Sequence, residues 1–233
     1  MKRAFSRGLF VTGTDTGVGK TQVGAAVASL LRERGIVVQP RKPVESGCKR
    51  IDDRPLPLDA LTLRTAAGLD LPLETICPHA FEPALSPERA AMLSRAGLTL
   101  QDLVQACRTG VGADDFLLVE GAGGFYSPIA AGALNADLAS ALGLPVLLVA
   151  ADRLGVINHT LLTVEAIERR GLTLAAIVLN RAEPLSDPEM DNAADLSRWL
   201  GRPPIVTERG TSGAPGDGWR ALRPALTALA ASL

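Results

Sequence analysis

Residues 9–21 have the sequence Leu-Phe-Val-Thr-Gly-Thr-Asp-Thr-Gly-Val-Gly-Lys-Thr, and this stretch decides the fold. Its apolar start, Leu9 to Val11, predicts a buried strand, and the turn that follows is rich in Gly, Thr and Asp. A helix is predicted to begin near Gly19. A strand, a glycine-rich turn and a helix N-terminus in this order are typical of a phosphate-binding loop, in which backbone N–H groups face an anion.

The side chains at the end of this stretch match the chemistry of such a loop. Lys20 is placed to reach the outer phosphates, and the hydroxyl of Thr21 to ligate Mg²⁺. Five residues separate Gly13 from Gly19, whereas the common pattern has four. A glycine-rich turn with an incidental lysine is the alternative. Since strand, turn, Gly-Lys-Thr and helix follow in the expected order, we predict that the chain binds a nucleoside triphosphate.

Length and composition limit the class of protein. The 233 residues are enough for one large α/β core but short for two domains. Hydrophobic residues make up 47 % of the chain and the net charge is −1. This balance favours neither nucleic acid nor an anionic membrane surface as a partner. With five Phe, two Trp and one Tyr, the chain also has few aromatic side chains on which bases could stack.

The sequence predicts a cytoplasmic location. The first eight residues are basic, but the apolar stretch after them is short and runs into the phosphate-binding loop, so we do not expect a signal peptide. No apolar run approaches the roughly 18 residues of a membrane span. The three cysteines have no C-x-x-C spacing and are odd in number, which favours a reducing compartment. We interpret them as core or loop residues rather than nucleophiles: Cys48, Cys77 and Cys107.

Apolar runs without a period of two alternate along the chain with amphipathic helical patterns. Strands are predicted at residues 9–11, 36–39, 115–120, 145–150, 174–179 and 205–206. Helices are predicted at residues 20–34, 58–67, 86–94, 98–109, 135–142, 156–170, 188–200 and 219–231. Three stretches are expected to be irregular: an exposed loop at 48–57, a proline-punctuated region at 70–98 and a flexible segment at 210–218.

This alternation of strands and helices predicts an α/β fold. Strands rich in Val, Leu and Ile without alternation are typical of a parallel sheet that is buried on both faces. We therefore expect a single-domain P-loop fold over residues 1–233. It should have a mainly parallel sheet of about seven strands, with helices on both faces.

Two charged residues at predicted strand ends are candidates for the site, because the carboxyl ends of parallel strands share one edge of a sheet. Glu120 ends an apolar strand, as does the carboxylate that holds Mg²⁺ in many nucleotide-binding proteins; an acid that caps the next turn is the alternative. Lys42 follows another strand and is either a second cation for a transferring phosphoryl group or a lysine that extends to solvent. By itself, Asp59 is a first-turn acid that favours its helix.

Together these residues resemble the dethiobiotin synthetase family, the ATP-dependent cyclising ligases of biotin synthesis. The long form of the phosphate-binding loop is similar to that of the family. Further matching segments follow in the family's order: Lys42-Pro-Val-Glu-Ser-Gly47, Asp59-Ala60, Glu120-Gly-Ala-Gly-Gly124, Leu154-Gly155 and Asn158-His159-Thr160. The resemblance extends from residue 9 to about residue 180, roughly three quarters of the chain.

The resemblance implies a reaction and its participants. A carbamate formed from CO₂ and one amine of 7,8-diaminononanoate attacks the γ-phosphate of ATP. The second amine then closes on the mixed carbamic–phosphoric anhydride, which gives dethiobiotin, ADP and phosphate. ATP is therefore the expected co-substrate and Mg²⁺ the expected cofactor. Members are typically homodimers, with substrate bound at the interface.

The resemblance also assigns roles to residues that match the family's motifs. It implies catalytic roles for Lys42, Lys20 and Thr16. It implies nucleotide binding by Gly17, Val18, Gly19, Lys20, Thr21, Gln22, Asp59, Glu120, Gly121, Ala122, Gly123 and Asn180. It implies that Mg²⁺ is held, directly or through water, by Thr21, Asp59 and Glu120. It implies substrate binding by Thr16, Lys42, Ser46, Leu154, Gly155 and Asn158, of which the last three are expected to serve the neighbouring subunit's site.

The chain departs from the family pattern in places. Ser86-Pro87-Glu88 stands where many members have Ser-Pro-His, and Leu58 replaces a small polar residue. Residues 202–209 lack the family's Leu-Gly-x-Ile-Pro-like segment, and Arg181 follows Asn180 where an acid is common. The base preference is therefore open.

A nucleotide-switch ATPase of the septum-positioning or plasmid-partition type is the rival interpretation, because it shares the predicted architecture. Such proteins carry an additional lysine early in the loop, where this chain has Asp15. They also favour a C-terminal amphipathic membrane helix, whereas residues 219–233 contain few basic side chains. Dependence of ATP cleavage on a diamine would distinguish the ligase from the switch.

Overall fold

The computed structural model describes residues 7–208 and 217–233. Its strands are β1 (Gly8–Gly13), β2 (Val38–Arg41), β3 (Val44–Ser46), β4 (Lys49–Ile51), β5 (Arg54–Leu56), β6 (His79–Phe81), β7 (Phe116–Glu120), β8 (Pro128–Ala130), β9 (Ala133–Leu134), β10 (Val146–Ala151), β11 (Leu174–Arg181) and β12 (Ile205–Glu208). Its helices are α1 (Lys20–Glu33), α2 (Leu58–Ala67), α3 (Leu73–Ile76), α4 (Pro87–Leu93), α5 (Leu100–Arg108), α6 (Asn135–Leu142), α7 (Val156–Arg169), α8 (Asn192–Leu200) and α9 (Trp219–Ser232).

A six-stranded parallel sheet forms the centre of the molecule, with the strand order β12-β11-β10-β1-β7-β2. Strand β1 lies between β10 and β7, so the phosphate-binding loop at its carboxyl end is central to the sheet edge. The register pairs Val11 with Glu120 and Gly13 with Val149. The α/β prediction is confirmed; the sheet has six strands in the described residues where about seven were expected.

Helices cover both faces of this sheet, as predicted. Alternate residues of β1 show why: Leu9 and Val11 pack with α1, α2 and α9, whereas Phe10 packs with α5, α6 and α7. All three side chains are fully buried. Burial of one such side chain stabilises the fold by roughly 1.5–3 kcal/mol. Apolar residues in succession are thus required because each face of the strand meets its own helical layer.

Residues 48–57 differ from the expected irregular loop. They form an exposed antiparallel hairpin of β4 and β5, which pairs Lys49 with Leu56. Asp52 and Asp53 connect the strands, with φ angles of 47° and 61°. A two-residue hairpin turn of this kind needs positive φ at both positions, and Asp tolerates it better than most residues.

The region 70–98 is also more regular than expected. Besides α4, which was predicted at 86–94, it contains α3 and β6, and β6 pairs in parallel with β3 outside the central sheet. The predicted helix 188–200 begins at Asn192, because the side chain of Asp191 accepts a hydrogen bond from the Ala194 N–H at 3.0 Å and caps the helix there.

Some predictions concern residues that the structure does not describe. These are the basic start at residues 1–6 and most of the segment 210–218. Across residues 7–208 and 217–233, no helix combines the length and the apolar character needed to cross a membrane.

Candidate active site

The carboxyl ends of β1, β2 and β7 open into a cavity of about 710 Å³. This is the edge at which ligands bind in open parallel sheets. The cavity is lined by the phosphate-binding loop and the start of α1, by residues of β3, α2 and the ends of β2 and β7, and by the segment 84–87 and the loop after β7. The lining residues are Thr16, Gly17, Gly19, Lys20, Thr21, Gln22, Lys42, Glu45, Ser46, Asp59, Ala84, Leu85, Ser86, Pro87, Glu120, Ala122, Gly123 and Ser127.

The backbone of the phosphate-binding loop explains two of its glycines. Gly19 has a φ angle of 100° and directly precedes α1, and a Cβ atom there would lie 2.1 Å from Nδ2 of Asn180. At Gly13 a Cβ atom would lie 2.7 Å from a methyl group of Val18. Only glycine fits both positions, so the loop can close tightly before the helix N-terminus.

Lys20 is the buried cation of the loop. Its Nζ donates a hydrogen bond to the backbone oxygen of Asp15 at 2.8 Å. Burial, together with repulsion from Lys42, lowers the pKa of Lys20 to about 8. A bound anion would favour its charged form, and phosphates are the anions that a helix N-terminus and a glycine-rich loop accept.

Lys42 lies deep in the cavity with 3 % of its surface exposed, so it does not extend to solvent. Its Nζ donates to Glu120 at 2.5 Å, to Asp59 at 2.8 Å and to the backbone oxygen of Gly121 at 3.3 Å. Burial lowers the pKa of Lys42, but the two carboxylates outweigh burial and the pKa is raised overall. Lys42 is therefore a permanent ammonium group at the site.

Thr21, Asp59 and Glu120 form the candidate cation site. The hydroxyl of Thr21 donates to Oε1 of Glu120 at 2.9 Å. Burial raises the pKa of Glu120 despite Lys42, whereas contact with Lys42 overcomes the effect of burial at Asp59 and lowers its pKa. Oε2 of Glu120 is buried without a hydrogen-bond partner in the described residues. A hydroxyl and two carboxylates, one of which has an unpartnered oxygen, suit a hard cation such as Mg²⁺.

A cation at this position would depend on more than protein side chains. The described part of the chain contains no group of three or more His, Cys, Asp or Glu residues suited to a metal ion. Mg²⁺ commonly keeps water molecules and uses one or two carboxylates together with phosphate oxygens of a nucleotide. The donor set therefore fits a cation that binds with a nucleotide better than one that binds alone.

Most of the predicted site residues line this cavity, and six do not. Val18 is buried in the loop, and Gly121 presents its backbone oxygen to Lys42. Asn180 donates to the backbone oxygen of Val18 at 3.0 Å and accepts from Thr207 at 3.1 Å, so its amide supports the loop from behind. The other three lie before or within the first turn of α7, away from the cavity: Leu154, Gly155 and Asn158.

Two polar residues at the site were missed in the sequence. Glu45 lines the cavity, and Asn135 is fully buried beneath the loop after β7. The Asn135 side chain accepts from the Ala122 N–H at 3.1 Å and donates to the backbone oxygens of Ala122 and Gly124. A polar residue at the first position of a predicted helix was the available signal for Asn135. For Glu45 the signal was an acid inside the Lys42–Gly47 motif.

The parallel sheet, the phosphate-binding loop and the two buried lysines of the cavity define a P-loop nucleotide-binding protein. Solved structures share this fold, and their identities, below 20 %, make them evidence of fold alone. The MinC:MinD cell division complex of Aquifex aeolicus matches with a TM-score of 0.58 and 13 % identity over 97 % of this chain and 95 % of that one. The septum site-determining protein MinD of Pyrococcus horikoshii, in complex with Mg-ADP, matches with a TM-score of 0.57 and 16 % identity over the same shares.

Sequence relatives define the family. A family model described as "AAA domain" matches residues 7–208. The ATP-dependent dethiobiotin synthetase BioD of Anaeromyxobacter dehalogenans (strain 2CP-C) is 48 % identical over 86 % of this chain and 88 % of its own length. That of Rhodopirellula baltica is 39 % identical over 88 % and 84 %. The chain belongs to the dethiobiotin synthetase family and is an ATP-dependent ligase of biotin biosynthesis.

Proposed function

We propose that the chain converts 7,8-diaminononanoate, CO₂ and ATP into dethiobiotin, ADP and phosphate through a carbamate and a carbamic–phosphoric anhydride. The observation that carries the proposal is Lys42, an ammonium group held between Asp59 and Glu120 in the same cavity as Lys20. A second fixed cation beside a phosphate-binding loop is suited to a reaction in which negative charge moves between a carbamate and a phosphoryl group.

The proposed mechanism consists mainly of positioning and charge neutralisation. The α1 N-terminus and Lys20 bind the phosphates of ATP, while Lys42 stabilises the carbamate and the charge that develops on the transferring phosphoryl group. One carbamate oxygen forms a bond to the γ-phosphorus as the bond to the ADP oxygen breaks. The second amine then attacks the carbamic carbon, and phosphate leaves as the ring closes.

Thr21, Asp59 and Glu120 are the residues that we propose to hold Mg²⁺. When bound, the ion would neutralise oxygens of the β- and γ-phosphates. The unpartnered Oε2 of Glu120 and the hydroxyl of Thr21 support this assignment. Burial raises the pKa of both carboxylates, and Lys42 opposes this effect, more than fully at Asp59 and only in part at Glu120. The ionised form of a carboxylate is the form that ligates a cation.

The substrate assignments are part of the same proposal. Thr16 and Ser46 line the cavity, where their hydroxyls would hydrogen-bond the carbamate or diamine end of the substrate. Leu154, Gly155 and Asn158 would line the tail of a substrate bound to the partner subunit of a homodimer. The 82 % exposure of Leu154, a large apolar side chain, supports an interface there. A cytoplasmic location and a single domain over residues 1–233 complete the proposal.

Phosphate release tests the proposal directly. ATP and Mg²⁺ are supplied with and without 7,8-diaminononanoate plus bicarbonate, and the organic product is identified by mass. We expect phosphate release to depend strictly on the diamine and to match dethiobiotin formation. Phosphate release that ignores the diamine would reject the ligase and favour the nucleotide switch. Turnover with another triphosphate but not ATP would retain the reaction and reject ATP as its co-substrate.

A further inference from the structure

Helix α2 begins without a capping side chain of its own. The residue before it is Pro57, which makes no side-chain hydrogen bond to the helix. The first N–H groups of a helix have no partners within it, and an unpaired buried N–H group is costly. Here Glu45 of β3 supplies the missing acceptors. The N–H groups of Asp59 and Ala60 donate to its two carboxylate oxygens at 3.1 Å and 3.2 Å.

This cap closes a ring of contacts around Lys42. Glu45 follows Lys42 by three residues, and its carboxylate holds the backbone of Asp59. The side chain of Asp59 in turn accepts from Nζ of Lys42 at 2.8 Å. The first turn of α2 is therefore tied to the strand end that carries Lys42 by two independent polar contacts, one through its backbone and one through a side chain.

We propose that Glu45 is a positioning residue of the reaction: by holding the first turn of α2, it sets the position of the Asp59 carboxylate against Lys42. The inference rests on the proposed function for the roles of Lys42 and Asp59. Glu45 is 7 % exposed and lines the cavity, so the cap is part of the wall of the site rather than a distant structural feature. A misplacement of about 1 Å at a reacting group can lower a rate by about 100-fold.

Exchange of the Glu45 carboxylate for an amide tests its hydrogen bonds to the start of α2 without changing the size of the side chain. Glu45→Gln keeps the shape of the side chain, but its amide nitrogen cannot accept from an N–H group, so one of the two bonds is lost. We expect kcat to fall by about 10- to 100-fold, with a change of less than about threefold in the KM for ATP. Within residues 7–208 and 217–233, Glu45 forms no hydrogen bond or ion pair with the phosphate-binding loop, so ATP binding should be little affected.

A second capping variant controls for stability alone. Thr99 caps α5, where it accepts from the Asp102 N–H at 3.2 Å, and it does not line the cavity. Thr99→Ala should lower the free energy of unfolding by about 1 kcal/mol and leave kcat unchanged. If Glu45→Gln lowers the melting temperature as Thr99→Ala does but leaves kcat equally unchanged, Glu45 is only a structural cap and the inference is wrong.

A double-mutant cycle with Asp59→Asn tests whether Glu45 acts through Asp59. If it does, Glu45→Gln should reduce kcat little further in a chain that already carries Asp59→Asn. Multiplicative losses would overturn the inference. The cycle is measured on phosphate release and on dethiobiotin formation. A wild-type chain that releases phosphate without forming dethiobiotin would reject the proposed function alone, and the cycle on phosphate release would still decide the role of Glu45.

Discussion

Lys20 and Lys42 lie in the same cavity and are both buried, yet their pKa values move in opposite directions. Burial disfavours the charged form of both. The difference is in the partners: Lys42 contacts two carboxylates, whereas Lys20 contacts a backbone oxygen. Lys42 is therefore a permanent part of the charge pattern, and Lys20 is a cation whose natural counter-charge would be a bound anion.

Loss of the Lys42 ammonium group should remove most of the activity. Lys42→Met keeps an apolar stem of similar length but no charge, and we expect kcat to fall by at least about 100-fold. Loss of one partner from a buried ion pair also destabilises the fold by about 3–5 kcal/mol, so melting temperature is measured beside phosphate release. Lys49→Met, at an exposed position of β4, is the control. Near wild-type turnover in a folded Lys42→Met chain would contradict the catalytic assignment.

The close contact at Gly19 makes a prediction about the loop. Gly19→Ala should weaken ATP binding by at least about 10-fold, because the new methyl group would displace Asn180 from the loop that binds phosphate. Gly35→Ala is the matched control: Gly35 also has a positive φ angle, 78°, but has open space around it. It should cost about 1–2 kcal/mol of backbone strain and leave ATP binding intact. Calorimetric titration with ATP checks both, and equal affinities in the two variants would contradict the prediction.

At the scale of elements, the sequence predicts best where burial leaves a local pattern. Strand β1 and helices α1, α2 and α6 were predicted within two residues of their bounds, because burial on both faces leaves a continuous apolar run in a strand and burial on one face leaves a helical apolar period. The β4–β5 hairpin was missed because its strands are exposed and carry no such period. The pairing of β3 with β6 was missed because strand pairing over a long sequence separation leaves no local signal.

The same difference between local patterns and long-range contacts separates the site residues that the sequence predicts from those that it misses. Lys20, Thr21 and Glu120 follow local patterns of strand, turn and helix, so residue types and spacing alone predicted them. Asp59 was implied by the resemblance, since its contact with Lys42 spans 17 residues. Glu45 was missed because its partners are backbone N–H groups, which have no identity in a sequence.

An ion pair between α6 and the end of α7 makes stability depend on pH. A hydrogen bond from Arg170 at 2.6 Å and one from the Leu134 N–H at 2.8 Å lower the pKa of Asp137. Stability from a lowered acid pKa is present above the unfolded value, near 3.9, and is lost as pH falls through the folded value. Asp137→Asn should therefore lower the melting temperature by about 2–4 °C at pH 7, and this difference should shrink as the pH falls below the unfolded value.

The control for this prediction is another carboxylate in an ion pair. Asp195 pairs with Arg198 on the exposed surface of α8, so Asp195→Asn should change the free energy of unfolding by less than about 0.5 kcal/mol. Melting curves from pH 8 to pH 3 compare the two variants with the wild-type chain. A difference between wild type and Asp137→Asn that persists unchanged to pH 3 would show that Asp137 acts by packing and not by its charge.

At the scale of the whole molecule, one surface beside the site exposes large apolar side chains. Tyr126 and Leu162 are about half exposed and line a second cavity of about 600 Å³ together with Asp15 of the phosphate-binding loop. Asp15 lies 3.9 Å from Arg153, whose neighbour Leu154 is the most exposed large apolar residue in the described chain. Exposed apolar side chains next to the phosphate-binding loop are expected to contact a second copy of the chain in the proposed homodimer.

Subunit complementation tests whether this surface completes the site of a partner. Lys42→Met damages a chain's own site, whereas Asn158→Ala would damage the site of its neighbour. We therefore expect each variant alone to be nearly inactive, and a co-expressed mixture to recover about one quarter of wild-type activity, since half of randomly paired dimers would contain one intact site. Sedimentation should show dimers in all three preparations. Activity of the mixture equal to the average of the separate variants would mean that Asn158 does not act across the interface.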